Sequence, residues 1–587
     1  MSLKRNRLDA GFELEPRVML SGSIPGAEAP VSSETEAPVE EAAADEAVAA
    51  EDTVSEEAPV EEAPAEEAIA EEAPTEEVTG ETSGDEAPVV AEEEAAAEED
   101  VAPVAVEEEV VAEDEVAPVV SEEEAAPVVA AEEAVSDVPE DGLVIGEGVS
   151  GVAVNNGEGE SITAAETAVE ISGEATVNNA GEIAGGVNGV DFAETGTGTL
   201  NNAGVVSSDS RVVQINGDDV VVNNEGAIVG TDDQRNGTVY SNRTADDFTI
   251  NNNGLIDAGE GNEGAGVSTE LVAEGTTFDI NNNGLIQGRG DAAAGAATAG
   301  DGIRLERTRV DGALDGTTTG LFDGTINNNG LIDSEGENGT VAGFRAVNGV
   351  DFQGELNNNG TISGTQNGVY FGNETPAGGG DNVGGAVNNN GTISSDSRAF
   401  NIDGTGLEVN NNGEIIGTDD QRNGTVYVDE TAQDFTLNNN GLIDAGKGNE
   451  GAGFSVELAE AGNTFDINND GLIQGRGDAA AGAATAGDGI RLERTRVDGA
   501  LDGTTTGLFD GTINNNGLID SEGKNGTVAG FRAVNGVDFQ GELNNNGTIS
   551  GTQNGVYFGN ETPAGGGNNV GGVVNNSGTI SSDSRAV

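Results

Sequence analysis

Ile250-Asn251-Asn252-Asn253-Gly254-Leu255-Ile256 decides the fold, because the chain repeats it. An apolar residue, Asn-Asn, a variable residue, Gly, a second variable residue and an aliphatic residue recur in that order. Other copies are Val177-Asn178-Asn179-Ala180-Gly181-Glu182-Ile183, Leu356-Asn357-Asn358-Asn359-Gly360-Thr361-Ile362 and Val574-Asn575-Asn576-Ser577-Gly578-Thr579-Ile580. The glycine of the unit falls at 181, 204, 226, 254, 284, 330, 360, 391, 413, 441, 471, 517, 547 and 578, at steps of 22 to 46 residues. The flanks, such as Thr277–Ile280 and Leu285–Gln287, are short and rich in β-branched residues, which makes them strands rather than helices. Asn-Asn-X-Gly between them reads as a tight bend, in which Asn tolerates left-handed backbone and Gly supplies a positive φ. Gly189-Val190-Asp191-Phe192 and Gly368-Val369-Tyr370-Phe371 supply a third face.

Three short faces and their corners make one coil, and a coil this small cannot bury its apolar residues alone. Stacked on its neighbours it can. Ile183, Ile256, Ile286, Ile332, Ile362 and Ile393 are predicted to align inside as one aliphatic file. Asparagines at the corner are predicted to stack amide on amide. The structural residues of this scheme are Asn178, Gly181, Asn251, Gly254, Asn281, Gly284, Asn327, Gly330, Asn357, Gly360, Asn438 and Gly441. A step of 22–23 residues is one coil, a step near 30 is a coil with a protruding loop, and the 46-residue step reads as two coils, one lacking the motif. Because parallel connections are nearly always right-handed, the expectation is an all-β, right-handed parallel β-helix. Fifteen to twenty coils would span roughly 70–100 Å.

A longer period overlies the coil. Ser207-Ser208-Asp209-Ser210-Arg211 returns at 394–398 and at 581–585, a shift of 187 residues. Segments 301–399 and 488–586 differ only at Glu337/Lys524, Asp381/Asn568, Ala386/Val573 and Asn390/Ser577, which reads as a tandem duplication.

Composition narrows the chemistry. The 587 residues include 108 acidic and 22 basic ones, a formal charge of −86, with no Cys, His or Trp. A polyanion is repelled by phosphate backbones, so nucleic acid is excluded as a partner. Disulfides, thiol nucleophiles and Cys/His zinc sites are excluded by residue type. No apolar run reaches the ~18 residues of a membrane-spanning helix, so none is predicted in this chain. Residues 25–141 carry 42 acidic and no basic residues, with 11 of the 14 prolines, so they read as a disordered, self-repelling spacer. The solenoid is placed at 142–587.

Residues 1–24 are basic but lack the apolar core of a secretory signal. Leu14-Glu15-Pro16-Arg17-Val18-Met19-Leu20-Ser21 resembles the signature of the LEPR-XLL domain, with Met19-Leu20 where the name has two leucines. That segment stands at the front of bacterial surface or exported repeat proteins. The resemblance implies an extracellular or cell-surface location and export by a non-classical, type I-like route. The N-N-x-G-x-I pattern is itself similar to the passenger solenoids of autotransporter and adhesin proteins. The chain stops at Arg585-Ala586-Val587, where the earlier copy continues Phe400-Asn401-Ile402-Asp403. The expectation is a fragment whose export signal lies downstream.

The function expected is a non-catalytic structural or adhesive repeat protein: a surface projection, adhesin or biofilm-matrix component. The alternative is a β-helix enzyme or binding protein acting on acidic polysaccharides; a trimeric phage-type fibre is a third. Asp301-Gly302-Ile303-Arg304-Leu305-Glu306-Arg307-Thr308-Arg309, repeated at 488–496, concentrates the scarce arginines. Arg304, Arg307, Arg309, Arg491, Arg494 and Arg496 are candidate contacts to a cell-surface or matrix polysaccharide, since guanidinium pairs well with carboxylates. The plainer reading pairs them with Asp and Glu on neighbouring coils. Thr231–Gly237 and Thr418–Gly424 cluster oxygen ligands and are the candidate Ca²⁺ loops. Gly378-Gly379-Gly380-Asp381 is an isolated fragment of a Ca²⁺ β-roll signature, with no tandem copy. No catalytic residue and no other cofactor is assigned.

Overall fold

The computed structural model describes residues 142–587, apart from 231–236, 260–263, 273–274, 291–299, 308–319, 337–340, 373–383, 418–423, 430–431, 447–450, 459–463, 478–486, 495–506, 524–527 and 560–570. The LEPR-XLL-like segment and the acidic spacer lie outside the described residues.

Within them every regular element is a strand of three to six residues. The first three set the pattern: Leu143–Ile145, Val152–Asn156 and Ser161–Ala164 go one each to three different sheets. The fourth, Thr167–Ile171, pairs in parallel with the first, and the sequence starts another lap. Each of the three sheets reaches 15 strands, all pairings parallel, so the described residues form a parallel β-helix of 15 coils. At a spacing of about 4.8 Å the stack is about 70 Å long.

Register follows the motif. Asn251 and Asn252 pair with Asn281 and Asn282, then with Asn327 and Asn328. Strand Phe248–Asn252 alternates buried and half-buried positions, which puts Phe248, Ile250 and Asn252 inside. On the third sheet Ile183 stacks on Val206, then Ile228, Ile256, Ile286, Ile332, Ile362 and Ile393, and the isoleucines are fully buried. The expected aliphatic file is present. Burying each such side chain is worth roughly 1.5–3 kcal/mol, and only stacking achieves it. A second internal file is aromatic: Phe248, Phe278, Phe322 and Phe352 follow one another with ring centroids 4.6–4.9 Å apart.

Two sequence expectations are corrected. The 46-residue step is one coil and not two: Phe278–Asn282 pairs directly with Thr325–Asn328, and Phe465–Asn469 with Thr512–Asn515. Among the described residues this step adds one short strand outside the three long sheets, Gly320–Phe322, paired with Val350–Phe352; Gly507–Phe509 and Val537–Phe539 repeat this. The corner glycines are also not at positive φ; residues in that region include Gly349, Asn348 and Asp219, but no motif Asn or Gly. Their requirement is space. A Cβ on Gly254 would lie 2.1 Å from the Gly226 carbonyl oxygen, and one on Gly284 2.1 Å from that of Gly254.

Candidate functional site

The corner between the second and third sheets carries three files of side chains. The first asparagine of the unit, including Asn178, Asn251, Asn281, Asn327, Asn357 and Asn438, is half-exposed in every coil between the first and the last, where Asn155 and Asn575 are exposed. Its Nδ2 donates to the Oδ1 of the coil before, at 2.8–3.1 Å, from Asn178–Asn155 through to Asn575–Asn544. The second asparagine is buried in every coil before the last and its amide points the other way. Asn156 Nδ2 donates to Asn179 Oδ1, and the chain of bonds runs at 2.7–2.8 Å to Asn576. The same Nδ2 also donates to a backbone carbonyl on the next coil, as Asn282 does to Leu331 at 3.1 Å. A third, exposed file runs from Asn253 onward, where Asn283 donates to Asn253 and Asn329 to Asn283. Amide stacking was legible in the sequence, but which asparagine is buried was not, because Asn-Asn does not reveal the parity of its strand.

A second candidate surface is the outward row of the first sheet. Glu170, Asp191, Gln214, Tyr240, Ser268 and Arg304 stand on successive coils, followed by Arg345, Tyr370, Asn401, Tyr427, Ser455, Arg491, Arg532 and Tyr557. All four tyrosines of the chain fall on it. Sequence reading missed this row, although each tyrosine directly follows an inward-facing valine. Arg211 lies over the Tyr240 ring at 4.1 Å and Arg398 over Tyr427 at 4.4 Å, positions one super-repeat apart. Tyr240 Oη donates to Glu270 Oε1 at 2.7 Å; burial and this bond push its phenol well above the usual range. Burial pushes Tyr370 up to about 12.

Of the candidate polysaccharide contacts, the three whose side chains are described, Arg304, Arg307 and Arg491, lie on or beside this row and are buried. Arg304 is 8% exposed and pairs with Glu306 of its own strand at 2.6 Å; Arg491 is 6% exposed and pairs with Glu493. Arg307 is 1% exposed. Arg309 and Arg496, and the side chain of Arg494, lie outside the described residues. Sequence reading also missed Arg345, fully buried against Asp301 at 3.1 Å, and its copy Arg532 against Asp488 at 2.9 Å. Asp301 also accepts from the Ala342 N–H. Burial raises both aspartates above the ordinary carboxylate value, opposed by their arginines. A pair so deep is costly to break, which makes it a register lock between coils. Arg289 forms a half-exposed counterpart on the third sheet, gripping Asp257 with two nitrogens at 2.9 and 3.0 Å and Glu335 at 2.7 Å; Arg476 repeats it with Asp444 and Glu522.

Near the N-terminal end of the row, Asp191 stacks on Glu170 and accepts from Asn216 at 3.0 Å. Burial first, and the Glu170 charge second, push the Asp191 carboxyl up to about 6, against the opposing pull of Arg211.

Of the candidate Ca²⁺ loops only Gly237 and Gly424 are described, and Gly378–Asp381 is outside. Among the described residues no group of three or more acidic side chains gathers as a metal site, and no helix is long and apolar enough to cross a membrane. No protein-family model, curated protein or solved structure matches the chain. The class is therefore defined by the coils and their corner files: a parallel β-helix repeat protein.

Proposed function

We propose that this chain is a non-catalytic extracellular repeat protein, a rod that projects from or reinforces a bacterial surface or matrix and adheres through its repeated outer face. The observation that supports this reading is the copying of surface together with core. Two of the three corner files continue through all 15 described coils, and the exposed third file repeats Asn329 and Asn359 as Asn516 and Asn546, with the same ladder bond between them. Duplication of a whole surface multiplies weak contacts, and multivalent attachment gains from number. The LEPR-XLL resemblance supports export by a type I-like route. Displaying the full chain on a non-adherent cell tests the reading: retention on cells or matrix is expected, and display that retains no more than residues 1–141 alone overturns it.

A second reading, action on acidic polysaccharides, draws on one feature. The Glu170–Asp191 pair sits beside Arg211, and a carboxyl held near 6 is poised for proton transfer. Depolymerisation of an acidic polysaccharide that disappears in Asp191→Asn would favour it over the structural role.

A further inference from the structure

We infer that the corner carries, at one place, a binding groove for a neutral saccharide chain; the inference rests on the adhesive reading and names a contact within it. The third corner file holds an amide at Asn253 and at most later coils, but reads Ala180, Ala203 and Glu225 before that. The file of hydrogen bonds accordingly ends at Asn253, which accepts from Asn283 at 2.9 Å. Among the described residues no hydrogen bond joins Asn253 to Glu225. The gap is a groove of about 340 Å³ bordered by Asn201, Asn223 and Asn251 on one side, with Ala203, Glu225 and Asn253 along the other.

The groups in this groove have the valences a sugar needs. A primary amide has two N–H donors and two acceptor sites on oxygen. Asn201 spends one donor on Asn178 and one acceptor site on Asn223; Asn223 spends its own on Asn201 and Asn251; Asn251 on Asn223 and Asn281. Each keeps one N–H and one acceptor site, repeated at about 4.8 Å along the axis. A hydroxyl is donor and acceptor at once, so a row of such pairs fits a row of ring hydroxyls. The Glu225 carboxylate accepts from further hydroxyls, and the Ala203 methyl offers an apolar spot for a C–H face. The ladder bonds hold the amides in place before any ligand arrives, so little side-chain entropy is lost on binding.

Charge selects the class of saccharide. The chain carries −86 formally, and Glu225 stands in the groove itself. An acidic glycan is repelled; a neutral one is not.

The chain's own repeats supply the test. Ala203→Asn with Glu225→Asn extends the third file back from Asn253 and fills the groove with the residue that later coils carry, so the fold is retained. The full chain and this double variant are titrated with short linear oligomers of β-1,4-linked glucose, mannose and N-acetylglucosamine, and with oligogalacturonate, by saturation-transfer NMR and calorimetry. At least one neutral oligomer is expected to bind the wild type, the acidic one not to, and the double variant to lose roughly tenfold or more in affinity. Glu225→Ala alone should lower the same affinity, which keeps the test intact if the double variant folds poorly. A wild type that binds none of the neutral oligomers, or a double variant that binds them unchanged, overturns the groove. Surface display separates the two ideas: a double variant as adherent as the wild type, with no oligomer binding by either, removes the groove and leaves the adhesive rod, whereas oligomer binding by a displayed chain that adheres to nothing keeps the groove and removes the adhesive role.

Discussion

At the scale of single residues, three asparagines that look alike in the sequence have different duties. Asn282 is fully buried; its oxygen accepts from Asn252 and its nitrogen donates to Asn328 and to the Leu331 carbonyl. Asn283 next to it is exposed and makes one donated and one accepted ladder bond. The duplicated half holds its own control, because Asp470 stands where Asn283 stands in the first half and still accepts from Asn516 at 2.8 Å. Asn282→Asp keeps the acceptor and sets a carboxylate against two acceptors in a dry site. That is expected to cost on the order of 3 kcal/mol at neutral pH, since an unsatisfied buried charge is costlier than a lost hydrogen bond. The sign of the pH dependence follows. Burial beside acceptors raises the carboxyl's folded-state pKa above its unfolded value, so the loss is largest above that raised value and shrinks on acidification, when protonation restores one donor. Asn283→Asp should cost less than about 1 kcal/mol, as an exposed change does. Denaturant midpoints of the two variants at neutral and mildly acidic pH check both statements.

At the scale of the element, the strands and corners were readable because alternation, β-branching and Asn-Asn-X-Gly are local signals. The reason for the glycine was not readable, since it belongs to the coil underneath. No single coil reveals that the Gly254 carbonyl will lie where a Gly284 Cβ would be. The same blindness made the 46-residue step look like two coils: length alone cannot separate an added lap from a longer single one. The arginines of Ile303–Arg307 were open to two readings, glycan contact or pairing with acidic neighbours, for a related reason. Scarcity made them look like surface contacts, while Arg304 and Glu306 in fact pair on a covered face. The glycine account has a direct consequence. Gly284→Ala must push two coils apart along a continuous ladder, an overpacking expected to cost on the order of 2–4 kcal/mol. Gly571→Ala, with nothing within 4 Å of the added methyl, is expected to be close to neutral or slightly stabilising. Thermal unfolding of the pair separates this steric account from a general effect of losing glycine, which would destabilise both alike.

At the scale of the whole molecule, the coil and not the chain is the unit of stability. Each coil contributes a handful of apolar side chains and a few amide bonds, and it is ordered because equivalent coils lie above and below it. What matters for a large change is therefore phase. The 187-residue super-repeat holds six coils, from strand Val220–Asn224 to strand Glu408–Asn411 on the second sheet. Removing residues 212–398 joins Arg211 to Ala399, which recreates the Arg398-Ala399 junction already present in the chain. Every file then continues in register: Val190 is followed by Phe400 in place of Val213, and Leu200 by Val409 in place of Val222. The shortened chain is expected to fold with the unfolding midpoint of the parent within a few degrees, because nearest-neighbour interfaces are unchanged in kind. Its rod should be shorter by about 29 Å, six rises of roughly 4.8 Å, which small-angle X-ray scattering measures directly. A deletion ending ten residues later, at Glu408, removes one strand of a coil without its partners and places Val409 where the first-sheet residue Val212 was. Val190 and Phe192 would then face Asn410 and Asn412 in place of Val213 and Ile215, and that chain should lose its cooperative transition. Equal behaviour of the two deletions would show that stacking in phase is not what holds the solenoid together.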